Sequence, residues 1–271
     1  AVSCPRQQVK KLNEWPESQK PGCYFLYGVD DKTGDSAVYI GEAENVYDRL
    51  LNHLANKDFW NEAVFFTSKD ENLTKSHVKY LESELVKLAK NCKRQVLLNG
   101  NTPNSPSLPR SEQASMVEYI GNLKTLLGVL GHKTLEPLLH EIPAEKSQIE
   151  IGNESSVLKT NSTLFLNIKG VKSQAVLNDE GFVVLEGSHA TLTIRESLSN
   201  GYKKLRDKLI DSKVLIEGDG SYIFSQNYMF TSPSQAAALI VGYAINGRNH
   251  WISGDGISLK ELELNSSKQT D

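Results

Sequence analysis

Two tyrosines, an arginine, a histidine and a glutamate lie in the first third of the chain, and together they could hydrolyse a phosphodiester: Tyr24, Tyr39, Arg49, His53 and Glu82. The phosphate gains negative charge in the transition state, and a fixed guanidinium with a divalent cation stabilises that charge. Mg²⁺ commonly takes one carboxylate and keeps several waters, so a single glutamate can hold it. These residue types could support metal-dependent cleavage, in which Glu82 would hold Mg²⁺ or Mn²⁺.

The base that would activate water is either Tyr24 or His53. An ordinary tyrosine has a pKa of about 10, so Tyr24 can act only if a nearby cation and Arg49 favour its phenolate. Histidine titrates closer to neutral pH and can accept a proton directly. The sequence leaves both assignments open.

The elements that must position these groups can be predicted from hydrophobic patterning. Residues 23–29 and 37–41 read as two strands joined by a polar turn, so Tyr24 and Tyr39 can lie on one face of a hairpin. Residues 42–54 follow a helical pattern, in which Arg49 and His53 are four apart and share one flank. Both side chains can therefore point at a single site beside the hairpin.

A second helix is predicted to carry the carboxylate. Residues 60–67 read as a third strand, and a helix then runs to residue 92 with Thr74 or Ser76 as its N-cap. Glu82 falls at the edge of the apolar stripe, where a carboxylate costs free energy unless it is hydrogen-bonded, paired or bound to a cation. Alternatively, Glu82 forms an ion pair with Lys75 or Lys79 and has no part in the chemistry.

The chain is long enough for two domains, and we expect both to be mixed α+β. The first twenty residues are polar and are expected to pack only in part. The predicted boundaries are a catalytic domain at 15–104, a helical extension at 105–142, a linker at 143–162 and an accessory domain at 163–265. The accessory domain has two alternative interpretations. Its basic residues form a helix face that binds phosphates, or they are the solvated side of an ordinary amphipathic helix. These residues are Arg195, Lys203, Lys204, Arg206 and Lys208.

Bulk composition excludes several classes of protein. The formal net charge of −3 argues against a large non-specific nucleic-acid surface, although a small pocket can still be basic. No apolar run is long enough to span a bilayer, and the first twenty residues lack the apolar core of a secretory signal. Three sparse cysteines without a CxxC spacing indicate reduced thiols. We therefore expect a cytoplasmic protein without a membrane segment.

Residues 21–104 resemble the GIY-YIG nuclease family, whose two tripeptides appear as Gly22-Cys23-Tyr24 and Tyr39-Ile40-Gly41. The resemblance implies a small antiparallel sheet flanked by helices that cuts nucleic acid, DNA above all, with one divalent ion. It further implies catalytic roles for the two tyrosines, Arg49, His53 and Glu82, and a terminal asparagine at Asn99, with Asn101 as its rival. Gly41 and Arg49 would contact the substrate. Glu42 departs from the family's DNA-repair branch, which commonly carries lysine there.

Residues 163–265 resemble a second family, a domain of unknown function of the 4357 type that is often appended to such nucleases. Its signature lies in Glu186-Gly187-Ser188, in residues 230–237 and in residues 246–256. From the resemblance we expect it to bind nucleic acid or a protein partner. If the basic helix face binds phosphates, Arg195, Lys203 and Lys204 are the expected substrate contacts. Two alternatives to an endonuclease remain: a binding protein on an inactive nuclease scaffold, and a nuclease of a defence or toxin system acting on DNA or RNA.

Overall fold

The computed structural model describes residues 1–70, 72–139, 163–178 and 180–267. The chain divides into two compact units, Ala1–Leu138 and Leu139–Asp271. Both combine helices with β-sheets, as the sequence predicts. The linker expected at 143–162 lies outside the described residues.

The sheet of the first unit has the strand order β1-β4-β2-β3-β5. Strands β2 and β3 form the expected antiparallel hairpin, and β4 pairs with the other edge of β2. Only the short β5 runs parallel to its neighbour β3 among the described residues of this sheet. The strands are β1 (Val2–Pro5), β2 (Gly22–Val29), β3 (Ser36–Ala43), β4 (Trp60–Thr67) and β5 (Val96–Leu97).

The N-terminal segment is more ordered than the sequence predicts. Strand β1 pairs with β4, and 3-10 helices follow at Arg6–Glu14 and Pro16–Gln19. Val9 and Leu12 are buried while most other side chains of the segment are exposed, so it packs in part as expected and differs from the expectation only in its regular secondary structure. The apolar residues here are few, and their partners lie some fifty residues further along the chain, which is why local patterning shows only a polar stretch.

Three helices cover the two faces of this sheet. Helix α1 (Val46–Asn56) packs on the face that carries Tyr24, and α2 (Lys75–Cys92) and α3 (Arg110–Val129) pack on the face that carries Phe25. Successive side chains of a strand point to opposite faces, so each strand contributes to both cores. The candidate site residues His53 and Glu82 therefore come from helices on opposite sides of one sheet.

The second unit contains a five-stranded sheet, β12-β8-β7-β6-β13, and a three-stranded sheet, β10-β11-β9. Trp251 and Phe182 are packed together in its core, with the alanine-rich helix α5 against them. The strands are β6 (Thr163–Ile168), β7 (Val171–Asn178), β8 (Gly181–Val184), β9 (His189–Ala190), β10 (Leu215–Gly218), β11 (Ser221–Phe224), β12 (Tyr228–Phe230) and β13 (Ile252–Ser253). The helices are α4 (Asn200–Asp211), α5 (Pro233–Val241), α6 (Gly247–His250) and α7 (Leu259–Ser267).

Two further expectations can be compared with the structure. In the described part of the chain, no helix has the length and apolar character required to cross a membrane. Cys4, Cys23 and Cys92 all carry free thiols, as their spacing predicts.

Candidate active site

The β2–β3 hairpin brings the two tyrosines together on the α1 face. Tyr24 pairs with Gly41 and Leu26 pairs with Tyr39, so the tyrosines are diagonal neighbours on adjacent strands. Their ring centroids are 6.4 Å apart. A Cβ atom at Gly41 would collide with the Tyr24 hydroxyl and ring, so only glycine leaves room for this phenol. The glycine of the second tripeptide is thus required by the position of the first tyrosine.

Helix α1 presents His53 to this pair of rings. The helix begins at Val46 rather than at residue 42, because β3 continues to Ala43 and the Asn45 side chain accepts the cap hydrogen bond from Asp48 N–H. His53 is almost fully buried, and its Nε2 lies 2.7 Å from the Tyr24 Oη. The His53 ring centroid is 5.4 Å from that of each tyrosine. The three side chains form one buried cluster.

The protonation states in this cluster follow from burial and neighbouring charge. Burial, with a smaller contribution from the cations Lys57 and Arg49, lowers the pKa of His53 to about 4. Burial also raises the pKa of Tyr24 well above its usual value, with Arg49 acting against that rise. At neutral pH the phenol is therefore protonated and the imidazole neutral. Tyr24 donates its hydroxyl proton to Nε2 of His53, whose Nδ1 has no hydrogen-bond partner in the described residues.

Stability should depend on pH through His53. The unfolded imidazole titrates at about 6.5 and the folded one at about 4, so the unfolded state binds more protons between these values. The contribution of neutral His53 is complete at pH 7 and is lost as the pH falls through this window. Between pH 7 and pH 5, the native chain should lose on the order of 1–2 kcal/mol more than His53→Gln. Urea unfolding of both chains at each pH measures this difference.

The comparison between the two chains isolates His53, since every other titrating group is common to both. Equal losses in the native chain and in His53→Gln would show that the imidazole titrates normally in the fold. That result would contradict the buried, neutral hydrogen-bond acceptor.

Arg49 lies one turn before His53 and is exposed, so its charge faces solvent. The guanidinium lowers the pKa values of Tyr24, Tyr39, His53 and Glu82, which places it within electrostatic reach of all four. It has no ion-pair partner in the described ranges and can bind an anion.

Lys57 is a further cation at this cluster that the sequence does not single out. Its Nζ lies 4.3 Å from the centroid of the Tyr39 ring, over the face of that ring. Lys57 follows His53 by four residues, as His53 follows Arg49. Extending the same four-residue spacing to the end of the helix would have identified it.

Two carboxylates, Glu82 and Glu42, lie near each other and carry the site's negative charge. Burial and the neighbouring Glu42 raise the pKa of Glu82 to about 7, with Arg49 and Lys79 acting against that rise. Neither carboxylate forms an ion pair or hydrogen bond with a described residue. Lys75 pairs with Glu44 at 2.6 Å instead. The structural alternative of a Glu82–Lys75 pair is therefore wrong.

The donor set fits a hard divalent cation. In the described residues, no three His, Cys, Asp or Glu side chains gather into a cluster of metal ligands. Mg²⁺ needs fewer protein ligands than such a cluster offers, because it retains several waters and binds through one or two carboxylates. Glu42 raises the pKa of Glu82, and a cation bound beside Glu82 would offset that effect. Glu82, with Glu42 beside it, could hold Mg²⁺ or Mn²⁺.

Asn99 positions the strand that bears Tyr39. Its Oδ1 accepts from Ile40 N–H at 3.0 Å and its Nδ2 donates to the Ile40 carbonyl at 2.7 Å. The side-chain amide thereby continues the hydrogen bonding of β5 along the edge of β3. The sequence predicts Asn99 as a catalytic group, but both ends of its amide are occupied, so we assign it a positioning role. Its rival Asn101 is exposed.

The substrate contacts predicted in the second unit fall into separate environments. Arg195 is exposed, with its Cζ 4.9 Å from the ring centroid of Tyr243. Lys203 and Lys204 lie in α4. Arg206 is buried and donates to the Leu239 and Thr191 carbonyls. A basic helix face that includes Arg206 is therefore wrong, because its guanidinium completes the backbone hydrogen bonding of the core.

Residues 164–263 match the family model described as a domain of unknown function, DUF4357. The matched range lies in the second unit and agrees with the resemblance noted for that region. No curated protein and no solved structure matches the chain significantly.

Proposed function

We propose that the first unit is a metal-dependent endonuclease of the GIY-YIG type that hydrolyses nucleic acid, with DNA as the expected substrate. The observation that carries the proposal is the 2.7 Å hydrogen bond between Tyr24 and a buried, neutral His53, with Arg49 within electrostatic reach. A phenol and an imidazole held together in this way form a proton-transfer pair. The match of the second unit to DUF4357 supports the proposal, since such domains often accompany nucleases of this kind.

The proton that leaves the attacking water goes to the Tyr24–His53 pair. Tyr24 alone is a poor base, because burial disfavours its phenolate. Neutral His53 can accept the phenolic proton at Nε2 while the Tyr24 oxygen accepts a proton from water. This relay needs both residues, because Tyr24 takes the proton from water and His53 takes the phenolic proton.

Arg49 and Glu82 both act on the charge of the phosphate, Arg49 by direct contact and Glu82 through a divalent cation. The exposed guanidinium of Arg49 can form two parallel hydrogen bonds to a phosphate. Glu82 would hold Mg²⁺ or Mn²⁺, which when bound supplies further stabilisation of the charge on the phosphate. Asn99 keeps β3, and with it Tyr39 and Gly41, in register under this site.

A cleavage assay with the full chain tests the proposal. Plasmid DNA, single-stranded DNA and RNA are each incubated with Mg²⁺, with Mn²⁺ and with a chelator. We expect cleavage of at least one substrate that requires the metal, and Tyr24→Phe should slow it by about a hundredfold, because the relay loses its hydroxyl.

The matched control is Tyr27→Phe, which removes a hydroxyl from the same strand on the opposite face. Its cleavage rate should stay within about twofold of the native rate, since Tyr27 stacks on His132 and accepts from Thr134 away from the cluster. Absence of metal-dependent cleavage in every arm would refute the enzyme and leave an inactive binding scaffold.

A further inference from the structure

Two cavities flank the β6–β7 hairpin of the second unit. The smaller has a volume of about 90 Å³ and the larger of about 470 Å³. Ile168 and Val171 line the smaller cavity, and their chain neighbours Asn167 and Lys172 line the larger one. Successive side chains of a strand point to opposite faces, so a ligand that fills both cavities must be flexible enough to pass around the turn of the hairpin.

The smaller cavity is suited to an anion. Lys169 and Arg195 both line it beside the Tyr243 ring, with Nζ 5.8 Å and Cζ 4.9 Å from the ring centroid. The hydroxyls of Thr191 and Thr193 are hydrogen-bonded to each other at 3.4 Å, which leaves one hydroxyl proton for a ligand. No carboxylate belongs to its lining in the described structure, and neither cation has an ion-pair partner there. Two cations around one ring repel each other, and a phosphate between them removes that repulsion.

The larger cavity is suited to an uncharged planar group. Phe165 pairs with Gln174 and Asn167 with Lys172, so these four side chains share one face of the hairpin. The Phe165 ring is 40% exposed and offers a surface on which a base can stack. The amides of Asn167 and Gln174 can hydrogen-bond to base edges. Lys172 and Glu186 balance each other in the lining, which therefore favours a neutral group over a second phosphate.

We propose that these two cavities bind single-stranded nucleic acid, with a backbone phosphate between Lys169 and Arg195 and an unstacked base on Phe165. Only an unpaired base can leave its stack to reach the Phe165 ring, so a duplex should bind less tightly. The inference rests on the proposed function in naming nucleic acid as the ligand. It goes further in giving the second unit a role and the protein a preference for single strands.

Binding can be measured without cleavage, by fluorescence anisotropy of a labelled single-stranded DNA or RNA 12-mer with the full chain in chelator. The double variant Lys169→Ala/Arg195→Ala should bind about tenfold more weakly and reduce the salt slope of log K by about 1. Phe165→Ala should also bind about tenfold more weakly but leave the salt slope unchanged, because stacking releases no counterions.

The matched control is Lys213→Asn/Lys260→Ala, which removes the same charge from two exposed positions outside both cavity linings of the same unit, with asparagine at 213 because the φ of Lys213 is 59°. Its affinity should stay within about twofold of the native affinity. Three results would each overturn the proposal. The control could weaken binding equally, a duplex could bind as tightly as a single strand, or the chain could bind only to anionic lipid vesicles. If the native chain binds single strands as expected but cleaves no substrate, the proposed nuclease activity is refuted and the binding proposal stands, because binding is measured without metal.

Discussion

Glu82→Gln is expected to reduce metal-dependent cleavage on the order of a thousandfold while the first unit stays folded. The amide has nearly the size and shape of the carboxylate but no charge, so it cannot hold a divalent cation at the site. Losing that cation removes several kcal/mol of stabilisation from the transition state. The rate with saturating Mg²⁺, compared between the native chain and the variant, measures the effect.

The same substitution should stabilise the protein when no metal is present. The pKa of Glu82 is raised to about 7 in the fold, so ionised Glu82 disfavours the folded state above that pH. At pH 8 in chelator, removing this charge should raise stability on the order of 2 kcal/mol. Mg²⁺ should then raise the melting temperature of the native chain and not that of Glu82→Gln.

Glu84→Gln is the control for both measurements. This carboxylate lies two residues further along α2 and pairs with Lys87 at 2.7 Å on the surface. Its removal should leave the cleavage rate and the response to Mg²⁺ unchanged. Full activity in Glu82→Gln would show that Glu82 is not the metal ligand.

Arg49→Ala is expected to slow cleavage by roughly 10²–10³ without loss of stability. The side chain is exposed and has no ion pair in the described residues, so folding does not depend on it. Its charge lies within reach of both tyrosines and Glu82, where the phosphate would gain negative charge. The cleavage rate and the melting temperature of the variant, measured side by side, separate function from stability.

Arg49→Lys and Lys90→Ala complete this experiment. Lysine keeps the charge but lacks the planar fork that binds two phosphate oxygens, so its rate should fall between those of the native and alanine chains. Lys90 is an exposed cation in the last turn of α2, and its removal should not affect the rate. A slow Lys90→Ala would mean that cleavage responds to net charge and not to Arg49 itself.

Local patterning predicts the framework of the first unit well. The bounds of β4, Trp60–Thr67, agree residue for residue, and Thr74 is confirmed as the N-cap of α2. These features depend on neighbours within a few residues, such as alternating side chains or the cap hydrogen bond between Thr74 and His77. The hairpin is confirmed for the same reason.

Elements defined by distant partners are missed or misplaced. Strands β12 and β13 are two or three residues long and exist because β8 and β6 lie beside them. Helix α5 ends before Gly242, which adopts a left-handed conformation with φ of 77°, although a second glycine follows at Gly247. Either glycine can end a helix in a left-handed conformation, so the sequence pattern alone does not choose between Gly242 and Gly247.

The sequence by itself determined which chemical groups are available and which face of its element each one occupies. Period-two alternation allows Tyr24 and Tyr39 to share one face of the hairpin, which the register of β2 and β3 then decides, and the four-residue helical spacing sets Arg49 beside His53. Only the tertiary structure decided that Tyr24 donates to His53, that Glu42 helps raise the pKa of Glu82, and that Asn99 is bound to Ile40. Hydrogen bonds and pKa shifts depend on distances and burial between residues far apart in the chain, and sheet register and helix packing set those distances.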